Sequence, residues 1–450
     1  MRILFFVCFS SLCLFAQPLR LDEALALIKK QNLEVQAAQY EIQSSELSYD
    51  MAYSQNFGQL NFTQNIMRTN DAGNTFGFKL TSREATFGDF GFSDFDPNNP
   101  NILQVQPDDL NYPDDQNFFQ SKLTYELPLY TGNKLSAYEN MAKEMRHISV
   151  LDKQDQINAK KYETRKSYFD MALLEGSLQN LKIIRHNIEK LEKMTREMIS
   201  EGYAKKIDLL EVQSKKANVE RIIVELEGNK ELLYHYLSFL LNQEVRQIEV
   251  PNHDLTEPST TTEEILANNI DIQKALSALK LRENMLISEE SRYLPSIGAM
   301  AELQTADNTF LGEAGKHSSY TVGLQLKWNI FSGGADSAAI EQARVQSLKM
   351  KTQSRLAKHG ISLKIKEIQT KIKVANAKIT NLEVELALAK QIYENYENRY
   401  KEQLSSMNDV IIKQSSWLAK VLELLQAKNT RNTQIFALER LGSLHSGDTL

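Results

Sequence analysis

Two aspartates, Asp208 and Asp409, stand in matching settings 201 residues apart. Asp208-Leu209-Leu210 answers to Asp409-Val410-Ile411, and Gln213-Ser214 to Gln414-Ser415. An aspartate ahead of an aliphatic run, just after a turn, can accept the free N–H groups of a helix start. Gathered around a symmetry axis, the same carboxylates would form a ring that attracts cations and repels anions, because a low-dielectric wall focuses the field. Lys205 and Lys206 precede Asp208; they read as a solvated turn, or as cationic partners for an aspartate. Gly202 opens that turn. Elsewhere the reactive side chains are dispersed. His147, His186, His235, His253, His317, His359 and His445 offer no pair at metal-ligand spacing. The twelve methionines are scattered, which gives little support to a copper-selective path. There is no GxSxG, Walker or dinucleotide signature. The sequence therefore predicts no catalytic residue, no cofactor, no metal centre and no enzyme.

The chain of 450 residues is long enough for two or three domains. Arg2 is followed by an uncharged apolar and small-residue run from Ile3 to Ala16, the pattern of a secretory signal peptide cleaved after Ala16. Both cysteines, Cys8 and Cys13, lie within it, so the mature chain has no thiol or disulfide chemistry. Leu12 before Cys13 does not fit a lipoprotein signal. No later apolar run is long enough for a membrane helix, so any membrane span must be a closed β-barrel. With 52 basic and 58 acidic residues, the chain shows no basic patch for nucleic acid.

The elements that position the two aspartates are long helices. No proline occurs from Leu129 to Val250, or from Ser296 to Leu450, and both stretches are rich in helix formers. Their apolar positions follow the three-then-four spacing of coiled coils. Leu181, Ile184, Ile188, Leu191, Thr195 and Met198 mark the first. Ile379, Leu382, Leu386, Ala389, Tyr393, Tyr396 and Tyr400 mark the second. The return helix of the first runs from Leu209 through Val212, Val219, Ile223 and Leu237 to Leu240. A helix from Gly132 to Gly202 would be roughly 105 Å long.

The chain also reads twice. Leu127–Gly132 matches Trp328–Gly333 at the same 201-residue offset, and Asn32-Leu33-Glu34-Val35 resembles Asn269-Ile270-Asp271-Ile272. Each repeat reads as helix, two strands, very long helix, turn, shorter helix. The short helices are expected over 20–54, 208–245, 263–292 and 408–442. The expected organisation is a signal peptide over 1–16, a first repeat over 17–250, and a second repeat over 251–450 with a short tail.

Strands are expected near 58–68, 119–130, 295–304 and 320–331, where apolar and polar residues alternate over lengths suited to tilted transmembrane strands. Tyr320 and Trp328 would face lipid. Four strands cannot close a barrel, so the edges must pair with other copies. The first repeat carries about 36 additional residues between its strands, within an acidic, proline-rich segment over 84–121 that reads as a solubilising outer loop or, alternatively, a divalent-cation binder.

With its duplication and the turn Glu201-Gly202-Tyr203-Ala204-Lys205-Lys206-Ile207-Asp208-Leu209-Leu210, the chain resembles the TolC-like outer membrane efflux proteins over nearly its whole mature length. The resemblance implies a mixed α and β fold: a long α-helical coiled-coil barrel plus a transmembrane β-barrel, four strands per chain and 12 in a homotrimer. It implies an exit duct in the cell outer membrane reaching into the periplasm, in contact with outer-membrane lipid. A periplasmic adaptor and an inner-membrane pump or ABC transporter would dock at its tip, with no nucleic acid involved. Asp208 and Asp409 would be the tip aspartates, and Tyr400 a residue tying neighbouring coiled coils. An arginine expected four residues before the second aspartate is Ser405 here, a further acidic position is Ile412, and the second tip glycine is Gln403. The charged lock of the closed state would be reduced accordingly. The rival expectation is an exported coiled-coil structural or adaptor protein without a barrel.

Overall fold

The computed structural model describes residues 18–251, 255–310, 312, 315–402 and 404–443. The expected signal segment 1–16, Gln403, His253 and His445 lie outside the described residues. These residues divide into two compact units: a helical unit of residues 18–43, 147–277 and 352–443, and a sheet unit of residues 44–146 and 278–351.

The chain runs α1 (Leu21–Gln31), α2 (Leu33–Ser54), β1 (Gln59–Thr69), α3 (Ala72–Thr81), α4 (Asp108–Asn111), β2 (Gln116–Tyr130), α5 (Lys134–Ser200) and α6 (Lys206–Leu241). Then follow α7 (Thr262–Asn268), α8 (Ile270–Glu290), β3 (Ser296–Asp307), β4 (Ser318–Lys327), α9 (Ala335–Lys401) and α10 (Met407–Leu441). The long helices α5 and α9 each contain 67 residues.

In the helical unit the three-four pattern is the packing pattern. Leu181, Ile184, Ile188, Leu191, Val212, Val219 and Ile223 are buried in one cluster with Tyr393, Tyr400 and Val410. A second cluster gathers Ile28, Tyr168, Met171, Leu237, Leu240 and Phe436. Arg165 pairs with Glu439 and lies over the Phe436 ring.

The expected helices 20–54 and 263–292 are each interrupted, at Asn32 and Asn269. The two asparagines act alike. Asn32 Oδ1 accepts Val35 N–H at 3.0 Å, and its Nδ2 donates to the Leu240 carbonyl at 2.8 Å. Asn269 Oδ1 accepts Ile272 N–H at 3.1 Å, and its Nδ2 donates to the Leu441 carbonyl at 2.9 Å. Each side chain starts one helix and satisfies a carbonyl at the end of another, which an uninterrupted helix could not do.

In the sheet unit the strand order is β1-β2-β3-β4, all antiparallel. The expected fourth strand ran to 331, but β4 ends at Lys327. Ser296, the first residue of β3, pairs with Lys327, so the ladder has no partner beyond it. Trp328 Nε1 instead donates to the Tyr293 carbonyl at 3.1 Å. The register places Leu60, Tyr125, Ala301 and Val322 in one cross-strand row, and Phe62, Leu123, Leu303 and Tyr320 in the next. These rows make one apolar face. The other face is polar: Gln120 accepts from Asn65 and donates to Gln304, while Lys122 pairs with Glu302.

Sharp corners lead from the strands into the long helices. Gly132 and Asn133 have φ of 62° and 69°, and Gly333 and Gly334 have 64° and 89°. Thr131 Oγ1 accepts Leu135 N–H in one corner, and Ser332 Oγ accepts Asp336 N–H in the other. A Cβ at Gly132 would also lie 2.9 Å from Leu294 Cβ, so a larger residue there meets both strain and a clash.

The segment read as an acidic loop over 84–121 is structured. Its last residues, from Gln116, already belong to β2. Several of its aspartates are bonded: Asp89 with Lys79, Asp94 with the Asp108 N–H, Asp109 with Ser93, and Asp115 with Arg68. Burial opposes ionisation of Asp89, but Lys79 and the Thr86 N–H and hydroxyl outweigh it and hold the carboxyl below its usual range.

Candidate functional site at the helix tip

The first tip begins where α5 ends. Gly202 has φ of 81°, and Tyr203 N–H bonds back to the Met198 carbonyl at 2.8 Å. That six-to-one bond with a left-handed glycine is a Schellman ending. Asp208 then sits in the first turn of α6, and its carboxylate accepts Lys205 N–H at 2.8 Å. Lys205 and Lys206 are exposed, and no ion pair is formed by either side chain among the described residues.

The second tip repeats the geometry. Leu404 N–H bonds to the Arg399 carbonyl at 2.8 Å. Ser406 Oγ accepts Asp409 N–H at 3.2 Å, while the Asp409 carboxylate accepts Ser406 N–H at 3.2 Å and Ser406 Oγ–H at 2.6 Å. The hydroxyl and N–H of Ser406, with the fields of Lys413 and Arg399, hold the Asp409 carboxyl below its ordinary value. Both aspartates thus act as local caps, with a stronger cap at Asp409.

Ser405, where the resemblance implies an arginine, donates its hydroxyl to the Tyr396 carbonyl at 3.2 Å. Two cations lie at the same ring: Arg399 is 5.7 Å from the Tyr396 centroid and Lys413 is 5.3 Å from it. Positive charge is therefore present near Asp409 without an arginine at 405. The Tyr400 hydroxyl donates to Met198 Sδ at 2.8 Å, within the chain. Burial and the field of Asp208 push that hydroxyl's pKa up.

A further residue of the tip region was not legible in the sequence. Glu192 on α5 accepts Arg196 at 2.7 Å and Gln213 at 3.3 Å, and pairs with Lys216 at 3.3 Å. These bonds draw its carboxyl down to about 2. Gln213 and Lys216 tie α5 to α6, while Arg196 braces the carboxylate from its own helix. Only the Arg196 contact, at helical spacing, was visible in the sequence.

The sheet unit has its own unusual surface. On its apolar face Tyr320, Val322 and Leu324 are 78%, 74% and 75% exposed, and Leu60, Phe62 and Ile66 are also exposed. The histidines among the described residues do not form a site with one another, but His317 lies beside Asp307 at 3.4 Å.

With its four-stranded sheet and two helices of 67 residues, the chain is similar in fold to solved outer-membrane channels. The CmeC outer membrane channel of Campylobacter jejuni matches with a TM-score of 0.76 over 94% of this chain and 85% of its own, at 15% identity. The outer membrane protein VceC of Vibrio cholerae matches with 0.78 over 94% and 96%, at 13% identity. The open state of the MtrE outer membrane channel of Neisseria gonorrhoeae matches with 0.77 over 94% and 89%, at 14% identity. Residues 261–442 match the model of the outer membrane efflux protein family. A search of curated protein sequences finds no match. The family is one of transport channels rather than enzymes, as the resemblance implied.

Proposed function

We propose that the chain is one subunit of a homotrimeric exit duct of a tripartite efflux or type I secretion system. It lies in the cell outer membrane and extends into the periplasm. A periplasmic adaptor and an inner-membrane pump or ABC transporter meet it at the tip, and substrates pass through without chemistry.

The observation that carries this reading is the orientation of the sheet. Its polar face is internally bonded, whereas its apolar face is bare. In water such a continuous apolar surface is unfavourable and marks contact with lipid or a partner. A transmembrane barrel puts its apolar residues outward and its polar residues toward the lumen. Both edges, β1 and β4, are free in the chain and would pair with further copies to close a 12-stranded barrel.

Further support comes from exposed apolar stripes. Leu33, Tyr40 and Leu47 recur at heptad spacing on α2, and Leu356, Leu363, Val374 and Val384 line α9. Such stripes suit packing against other copies in a coiled-coil barrel. The matched corners, asparagine breaks and tips support the internal duplication. At the tip, rings of Asp208 and Asp409 would set cation preference, with Tyr400, Ser405, Lys205, Lys206 and Gly202 shaping the turns.

The test is outer-membrane fractionation with SDS gels of heated and unheated samples, followed by planar-bilayer recording. A heat-modifiable oligomer that conducts supports the reading. A monomer in the soluble periplasmic fraction would favour the exported coiled-coil alternative.

A further inference from the structure

We propose that Glu84, Asp307 and His317 form a zinc site that clips the first strand pair's insertion to the β3–β4 hairpin. Glu84 follows α3, Asp307 ends β3, and His317 immediately precedes β4. One ligand atom from each residue lies within 4.8 Å of the other two. All three belong to the sheet unit, and the site does not depend on whether that sheet lies in a membrane.

The geometry between His317 and Asp307 suits a shared ion better than a direct bond. Nδ1 of His317 is 3.4 Å from Asp307 Oδ2 and has no hydrogen-bond partner, although it is buried. A charge-assisted N–H···O bond would be about 2.7–2.9 Å. Ligands about 2.0–2.2 Å from a tetrahedral zinc stand roughly 3.3–3.5 Å apart, which fits the observed separation. The Asp307 side chain is only 9% exposed.

The carboxylates are also oriented from behind. Asp307 Oδ1 accepts the Thr309 N–H at 3.1 Å and its hydroxyl at 3.2 Å. Glu84 Oε2 accepts the buried Ser82 hydroxyl at 2.7 Å. Such supporting bonds fix metal-binding carboxylates in place. Gly312 presses its backbone onto the group: a Cβ there would lie 2.5 Å from Asp307 Oδ2.

One imidazole and two carboxylates suit a borderline ion, and three protein ligands leave a fourth zinc position for water. Calcium would require at least about six oxygen ligands, more than these residues supply.

The experiment uses untagged full-length protein in detergent, stripped with EDTA. Zinc, calcium and magnesium chlorides are titrated separately by calorimetry, and protease cleavage within the insertion is followed with and without zinc. A single zinc per chain is expected, with insertion cleavage slowed and the protection reversed by EDTA. E84Q and H317Q should each weaken zinc binding by at least about tenfold, whereas H359Q should not. Heat-modifiable gel migration checks that every variant is assembled. Assembled E84Q and H317Q proteins that bind zinc like the parent would overturn the proposal. Absence of zinc binding by the parent, or equal calcium binding lost in the same variants, would also overturn it.

Discussion

The two tip aspartates combine a local role with a proposed collective one, and asparagine substitution separates them. D409A removes the acceptor for Ser406 N–H and Ser406 Oγ–H. Loss of these capping-box bonds should lower the melting temperature. D208A removes one acceptor contact, from Lys205 N–H, and should cost about 1 kcal/mol. D208N and D409N retain an amide oxygen in the same place, so the caps survive while the charge is lost. If the aspartates form a ring around a threefold axis, D409N should weaken cation selectivity and divalent block without lowering the melting temperature. Y400F combined with D208A should raise single-channel conductance by removing the Met198 contact and one tip cap together. Planar-bilayer recording with salt gradients reads selectivity, and thermal unfolding reads the caps. The ring assignment fails if alanine variants lose stability while all four aspartate variants conduct and select like the parent. The aspartates would then serve only as caps.

Other expected outcomes follow from the packing. N32A and N269A should each destabilise the fold by about 2–4 kcal/mol in urea unfolding, since each loses a buried bond and strands a carbonyl at a helix end; a change no larger than that of an exposed control would refute the role. Glu192 has a folded-state pKa near 2, below its ordinary 4.5, so its contribution is complete above about pH 4.5 and fades as pH falls toward 2. E192Q should remove that part of the acid dependence, and an unchanged profile would show that its three partners do not matter. L324K on the apolar face should cost about 2–4 kcal/mol near a membrane midplane and block assembly of the heat-modifiable oligomer. T321K on the polar face should assemble, and equal behaviour of the two would contradict the proposed orientation.

Much of the fold was legible because periodic burial leaves a periodic sequence. Leu181 through Met198 showed the α5 seam, and alternation around Tyr320 to Leu326 showed β4 and its two faces. The strand end at 327 was not visible, because Trp328 and Ile330 continue the alternation while the partner strand begins only at Ser296. The breaks at Asn32 and Asn269 were visible as a repeated motif, but not as breaks, since their bonding partners lie at distant helix ends. The insertion read as loop because Pro, Gly and Asp dominate it; the contacts that order it, such as Asp94 to Asp108, follow no period. The grouping of Glu84 with Asp307 and His317 joins separate loops and leaves no spacing to recognise.

The central pairing of the sheet has a consequence for biogenesis. Phe119 of β2 faces Asp307 of β3, and α5 through α8 intervene in the chain. The middle ladder therefore cannot zip locally as a hairpin does, and must wait for both halves to be synthesised and for the intervening helices to fold back. Such non-local closure is slow, and meanwhile the greasy faces of two separate hairpins are uncovered. A chain truncated after α6 would keep only β1 and β2, an isolated pair that is at best marginally stable in water. Protection of those two faces until both halves of the chain are present is thus a kinetic requirement written into the strand order.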